Sequence, residues 1–227
     1  MQNRVESYKA FLFDLNGTMI DDMTYHIKAW HRILNDLGAD ITWEKMKHEC
    51  YGKNQELLER IFPGRFSEEE KDKFSFEKEK QYQKEFKPEL KLITGLDDFL
   101  KDANDSAIKT AIGTAAILFN VDFVLDGLNI REYIDAIVTA DDVLISKPHP
   151  ETYLKCAEVL GIEPKDCLVF EDAPKGAESA LNAGMDCIVI TTLHKPEEFS
   201  TYKNVIGFIS NFDDPILKNL IKWKQTA

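Results

Sequence analysis

Cysteine is scarce in this 227-residue chain. Its four thiols, Cys50, Cys156, Cys167 and Cys187, form no Cys-x-x-Cys pair and have no histidine at a zinc spacing. A disulfide scaffold is excluded, and the thiols read as reduced side chains of a cytoplasmic protein. Only 11 glycines and 8 prolines are present, too few for a collagen or a low-complexity linker. No stretch reaches the ~18 apolar residues that span a bilayer. Residues 1–9 are polar and Asp14 cuts the apolar run from Ala10 to Leu15, so no targeting segment is expected. Positive charge is short as well: 28 Lys and Arg face 40 Asp and Glu, a formal charge of −12. That balance disfavours nucleic acid and anionic membranes as partners. A small anionic substrate then needs cations at its own site, and a monomer is expected.

Hydrophobic residues make up 44% of the chain and charged residues 30%, an ordinary globular composition. The length suits a core of ~150 residues with a small second domain. Short apolar runs fit buried parallel strands at Ala10 to Leu15, Ile108 to Gly113, Ala136 to Val138, Cys167 to Phe170, Cys187 to Ile190 and Val205 to Ile209. Helical patterns lie between them. Thr152 to Leu160 stops at Gly161, and Pro174 to Ala183 opens on a proline and stops at Gly184. Strand and helix in alternation predict an α/β fold with a doubly wound, Rossmann-like parallel sheet. Residues 22–94 break the alternation with helices alone: Asp22 to Leu37, Trp43 to Cys50, Asn54 to Ile61 and Glu68 to Phe86. The expected organisation is a core of residues 1–21 and 95–227 with a helical domain, 22–94, inserted after the first strand. The Lys/Glu run from Glu68 to Lys87 reads as a solvated helix face.

Polar residues follow four of the strand-like runs: Asp14-Leu15-Asn16-Gly17-Thr18, Thr114, Lys147-Pro148 and Glu171-Asp172. Ligands bind at the carboxyl ends of such strands. An Asp there serves as a nucleophile, a metal ligand or a helix cap, and Thr114 reads also as a cap for a helix starting at Ala115. Together the four sites put three carboxylates, a lysine and a hydroxyl at one sheet edge, a costly arrangement unless a cation or ligand uses it. Asp14, Glu171 and Asp172 need three positive charges, which one Mg²⁺ and Lys147 supply. Without them, a carboxylate approaching a phosphate meets repulsion of ~4 kcal/mol per unit-charge pair at 4 Å and an effective dielectric of 20. Magnesium takes oxygen ligands and keeps waters, so two carboxylates and a backbone carbonyl suffice. The chemistry these residues suit is phosphoryl transfer.

The order Asp-x-x-Gly-Thr, Thr, Lys-Pro, Glu-Asp resembles the haloacid dehalogenase superfamily. Tyr25-His26-x-x-Ala29-Trp30, Ser146-Lys147-Pro148 and Glu171-Asp172-Ala173-Pro174-x-Gly176 are similar to its β-phosphoglucomutase-like subgroup, in which the inserted helices form a cap. The resemblance implies that Asp14 is the nucleophile that forms an aspartyl-phosphate, with its other oxygen on Mg²⁺. It also implies a backbone carbonyl of Asn16 on the metal, the Thr114 hydroxyl and Lys147 on the phosphoryl group, and Asp172 as metal ligand with Glu171 beside it.

Two departures from the family pattern matter. The family has a second Asp where this chain has Asn16, and that Asp is the general acid and base; an amide does neither at neutral pH. General acid–base catalysis is worth ~10²–10⁴-fold, so reduced turnover is expected. The mutases also grip a second phosphate, with an Arg where this chain has Gln55 and with Ser-Lys-Asn where it has Ala116, Ile117 and Leu118. By spacing Lys84 matches a cap lysine of the mutases, and Lys53 offers another charge to the substrate; His26 reads either as a substrate contact from the first cap helix or as an ordinary helix histidine. A lysine lacks the bidentate fork of arginine. The expected activity is therefore a Mg²⁺-dependent phosphatase acting on a small phosphorylated metabolite. The alternatives are a β-phosphoglucomutase-type isomerase and a catalytically silent protein that binds such a metabolite.

Overall fold

The computed structural model describes residues 8–221; the outer limits expected for the core, 1 and 227, lie outside the described residues. Among these, six strands make one all-parallel sheet: β1 (Ala10–Phe13), β2 (Lys109–Gly113), β3 (Ala136–Val138), β4 (Cys167–Glu171), β5 (Asp186–Ile190) and β6 (Val205–Ile209). Their order is β3-β2-β1-β4-β5-β6, and β1 pairs in register with both β2 and β4. Strand order reverses between β1 and β4, so a crevice opens at their carboxyl ends.

Both faces of the sheet are covered, which is why its strands read as unbroken apolar runs. Phe11 and Phe13 point to one face, where they stack with Phe99, Phe170 and Phe212. Ala10 and Leu12 point to the other, against Tyr153, Val169 and Ala180. Helices α5 (Leu96–Asp105), α6 (Leu118–Leu128), α7 (Glu151–Leu160) and α8 (Pro174–Asn182) follow the strand connections. The sequence pattern gives no helix at α5, and it starts α6 at Ala115, three residues before Leu118. In α5 the apolar stripe Leu96, Phe99, Leu100 and Ala103 is plain, but Gly95 leaves its start without a side-chain cap. In α6 apolar residues run nearly all round the helix and blur the period.

Between β1 and α5 lie four helices, α1 (Met23–Asp36), α2 (Trp43–Glu49), α3 (Asn54–Ile61) and α4 (Glu68–Phe86). They share an apolar cluster of their own: Ile27, Trp30, Leu34, Ile41, Met46, Leu57 and Leu58. The two connections to the sheet run side by side, where Ile93 N–H donates to the Met19 carbonyl at 2.9 Å. The helix α4 opens on the capping box of Ser67 and Glu70, as its sequence predicts. Its face is not wholly solvated, however. Lys71, Ser75, Lys78, Glu79, Tyr82 and Phe86 are buried, a stripe at helical spacing whose polar members hid it from a hydrophobicity pattern.

Candidate active site

Backbone pairing delivers the key residues to one edge. The Asp14 N–H bonds the Phe170 carbonyl at 2.9 Å just beyond β1, and the Thr114 N–H bonds the Val138 carbonyl at 3.0 Å just beyond β2. The sheet thus sets the spacing of the polar residues that follow it. Gly17 turns the chain at φ +79°, and a Cβ there would stand 2.1 Å from an Asp172 oxygen. Only glycine allows that approach. Gly176 likewise leaves room for the Glu171 carboxylate, which a Cβ would meet at 1.8 Å.

Lys147 is the pivot. Its Nζ donates to Asp14 Oδ1 at 2.7 Å and to Glu171 Oε1 at 2.6 Å, and it lies 4.6 Å from the centre of the Tyr153 ring. Glu171 is well supplied with donors: the Tyr153 hydroxyl reaches Oε1, and the Asp172 and Ala173 N–H groups reach Oε2. Among the described residues Asp172 accepts from the Thr18 hydroxyl alone, at 3.4 Å. One oxygen each of Asp14, Glu171 and Asp172 lie within 4.8 Å of one another.

Three buried carboxylates against one lysine leave negative charge in excess. Burial pushes the Asp14 carboxyl up to about 7; Lys147 opposes the rise and Glu171 adds to it. Burial, reinforced by Glu171 and Asp14, holds Asp172 well above the ordinary carboxylate range. Burial disfavours the Lys147 ammonium, yet Asp14 and Glu171 outweigh it and hold its pKa above normal. The donor set is all oxygen, compact and short of positive charge, so it fits a hard divalent cation such as Mg²⁺.

The site opens into a cavity of about 330 Å³ between the sheet edge and the four-helix segment. Asp14, Asn16, Thr114, Lys147, Glu171 and Asp172 line it from the sheet side, and His26 from α1. Thr114 is buried and its hydroxyl accepts from Ala116 N–H at 3.1 Å. It does not cap the following helix, which begins later, at Leu118 with Ile117 as the flanking residue.

Asn16 is held as an amide. Its Nδ2 donates to Asp22 Oδ2 at 2.6 Å and lies 3.0 Å from His26 Nε2. Asp22 is fully buried and also receives the Tyr82 hydroxyl and the Gly17 N–H. The His26 ring stacks on Tyr82 at 3.8 Å.

Three of the expected substrate contacts do not line the cavity. The Gln55 side chain donates to Asp72 at 2.9 Å on the exposed side of α3. The Lys53 Nζ is spent on the Val143 carbonyl, and Lys84 is exposed. A buried cap cation that does face the cavity is Lys78, 2.6 Å from His26 Nδ1. Its neighbour Glu79 receives Lys78, Asn54 and, from α6, Asn120. The helical stripe Lys71, Ser75, Lys78, Tyr82 was the signal that could have found them.

Comparison with known proteins gives the family. Residues 11–190 match the family of haloacid dehalogenase-like hydrolases, and the chain belongs to that family. It is 29% identical to the fructose-1-phosphate phosphatase YqaB of Escherichia coli over 188 residues, 83% of this chain and 99% of that one. It is 32% identical to the β-phosphoglucomutase of Bacillus subtilis over 187 residues, 78% of this chain and 80% of that one. The crystal structure of a family IA, variant 3 hydrolase from Entamoeba histolytica superposes with a TM-score of 0.83 at 28% identity, covering 94% of this chain and 97% of the other. The chain is thus a phosphatase or phosphomutase of the haloacid dehalogenase type, and these enzymes include ones that act on sugar phosphates.

Proposed function

We propose that the protein is a Mg²⁺-dependent phosphatase of a small phosphorylated metabolite, with Asp14 as nucleophile and residues 22–94 as a cap over the site. The observation that carries this reading is the buried Asp14–Lys147–Glu171–Asp172 cluster at the floor of a closed-over cavity. Asp14, Asp172 and the Asn16 carbonyl would hold the metal, with Glu171 beside them. When bound, the ion supplies Lewis acidity and offsets negative charge at the phosphoryl group.

An Asp14 oxygen attacks phosphorus, and the substrate's alcohol oxygen leaves with the electrons of the broken P–O bond. Lys147 keeps Asp14 oriented and meets the negative charge of the phosphoryl oxygens, while the Thr114 hydroxyl donates to one of them. Water then attacks the phosphorus of the aspartyl-phosphate and releases inorganic phosphate and free Asp14. The Asn16 amide is neither acid nor base enough for the task, so the leaving alkoxide takes its proton from solvent and the attacking water gives one up to solvent, and both steps run slower than with a carboxyl group at this place. Gln55 turned to Asp72, and apolar Ala116, Ile117 and Leu118, favour hydrolysis over a mutase cycle that must hold a second phosphate.

The test is a panel of sugar, polyol and nucleoside monophosphates with Mg²⁺, read by phosphate release, product isomerisation and the intact mass of the protein. Phosphate release with an adduct on Asp14 supports the proposal. Isomerised sugar phosphate without release points to a mutase, and tight binding with neither outcome points to a silent binding protein.

A further inference from the structure

The far wall of the cavity, across from the sheet edge, carries one buried cation, and it is already neutralised. Lys78 and Glu79 are each 2% exposed, and the Lys78 Nζ lies 3.0 and 3.1 Å from the two Glu79 oxygens. Asn54 adds a bond to one of those oxygens at 2.7 Å and Asn120 to the other at 2.5 Å. Four donor contacts on two oxygens fill the capacity of a carboxylate. The same contacts join three elements, α3, α4 and α6, so the pair is fixed in place.

A phosphate dianion brought to this wall would meet a lysine whose charge is cancelled and a carboxylate that repels it. The other wall lysines offer little. Lys47 and Lys175 are 39% and 45% exposed, and each stands against a glutamate of its own, Glu44 at 3.7 Å and Glu178 at 3.0 Å. Beside the pair the far wall holds polar and apolar groups, Asn54, Asn120, His48, Trp30 and Leu57, and among the described residues no further buried lysine or arginine. That mixture suits the hydroxyls and C–H faces of a polyol or sugar chain.

Building on the phosphatase reading, we infer that Glu79 is a specificity residue: it occupies the cation a second phosphate would need, so the site admits monophosphates whose far end is uncharged and hydroxylated and rejects bisphosphates. The mechanism is exclusion by a placed like charge as much as attraction of the right ligand.

The experiment compares fructose 1-phosphate with fructose 1,6-bisphosphate, which share one phosphoester and differ in the charge at the other end. With Mg²⁺ present, each is titrated as a competitor of 4-nitrophenyl phosphate hydrolysis by the wild-type protein and by Glu79→Gln. The wild type is expected to bind the monophosphate at least ~10-fold more tightly. In Glu79→Gln, which keeps the side-chain shape and releases Lys78, the bisphosphate is expected to gain ~10-fold relative to the monophosphate. A general loss of packing would weaken both ligands and leave their ratio alone. Equal binding of the two by the wild type overturns the inference without any variant, and so does an unchanged ratio in a folded Glu79→Gln. Failure to hydrolyse 4-nitrophenyl phosphate or any monoester of the panel overturns the phosphatase reading instead. The ratio is then measured by calorimetry on the same two ligands, where equal affinities still refute the role of Glu79.

Discussion

The cavity is bounded by two buried carboxylate clusters that differ in how their charge is met. At the sheet edge Asp14, Glu171 and Asp172 share a single lysine, and burial pushes Asp14 up to about 7. At the cap wall Glu79 is alone among Lys78, Asn54 and Asn120. Burial works to raise its pKa, but Lys78, then His26 and the two amides outweigh that and lower it to about 2. One cluster is short of positive charge and the other is saturated. A shortage in a buried place marks where a cation or a reacting group is to come, whereas saturation marks a wall that holds its shape and turns charge away.

The largest break in this contrast is expected from Asp14→Ala. If the sheet-edge cluster is the reaction centre, kcat on the best monoester of the panel falls by at least ~10⁴-fold, with no phosphoryl adduct in the intact mass. Retained activity would place the chemistry elsewhere.

A smaller effect, with the opposite sign, is expected where the two clusters nearly meet. Asn16 donates its amide to Asp22 at 2.6 Å, so Asn16→Asp alone would set two carboxylates against each other in a buried place. Exchanging the pair, Asn16→Asp with Asp22→Asn, keeps one carboxyl and one amide in the same hydrogen bond and puts the carboxyl on the cavity side. The exchange is expected to raise kcat by ~10²–10⁴-fold with a smaller change in KM, and to exceed the single substitution. Steady-state kinetics of the three proteins on one monoester decides. A double variant no faster than the parent would show that residue 16 is not the place of the missing acid and base.

The sheet edge was legible in the sequence because its residues sit at fixed offsets from apolar runs. Asp14 comes directly after β1 and Thr114 directly after β2, and the sheet register does the rest. Strands β3 and β6 and helices α3 and α4 have the bounds the sequence predicts, and the other assigned elements differ at their ends, where local pattern is weakest. The cap wall was not legible, since its contacts depend on the rotation of α4. Lys84 and Lys78 are both lysines on one helix, six residues apart, and the stripe that sets Lys78 inward is made largely of polar residues, so an apolar pattern does not pick it out. The answer lies in the packing of α4 on α1 and α6, where Tyr82 stacks on His26 and Gln83 reaches Asn120. Asp22 was missed for a related reason: its role shows only through the groups that converge on it, Asn16, Tyr82 and the Gly17 N–H.

The two clusters also give stability opposite dependences on pH. The unfolded Asp14 titrates near 3.8 and the folded one at about 7, so between those values the native state keeps a proton that the unfolded chain has lost. Stability from this source is present below pH ~4 and is lost as pH rises through 7. Glu79 is the reverse: its contribution is present above its unfolded value of 4.5 and is lost as pH falls toward 2. Without divalent cations the melting temperature is therefore expected to fall between pH 5 and pH 8, and Mg²⁺ to raise it more at pH 8 than at pH 5. Asp14→Asn should flatten that slope, while Glu79→Gln should leave it and flatten the acid limb below pH 4.5. Scanning calorimetry with chelator and with Mg²⁺ checks both arms; a Mg²⁺ effect independent of pH would contradict the charge shortage at the sheet edge.

The smallest effect sharpens the contrast from outside the cavity. Gln55 and Lys84 stand where the family pattern leads one to look for substrate contacts, but Gln55 bonds Asp72 on the exposed side of α3, and Lys84 is exposed on α4. Neither lines the cavity that holds Asp14. Surface side chains of this kind, Gln55 half-buried and Lys84 exposed, contribute within about 0.5 kcal/mol to stability. Gln55→Ala and Lys84→Ala are each expected to leave kcat/KM within about twofold of the parent, since a charge on the solvent side of a helix is screened from a buried phosphate over roughly a Debye length. Lys78→Ala, on the same helix as Lys84, is expected to lower kcat/KM by more than tenfold because it strips the only buried cation from Glu79 and a donor from His26. Kinetics of the three single variants at low and at physiological ionic strength makes the comparison. A loss in Lys84→Ala that matches the loss in Lys78→Ala, and that salt removes, would mean that the cap acts through its overall field and not through the wall built around Glu79.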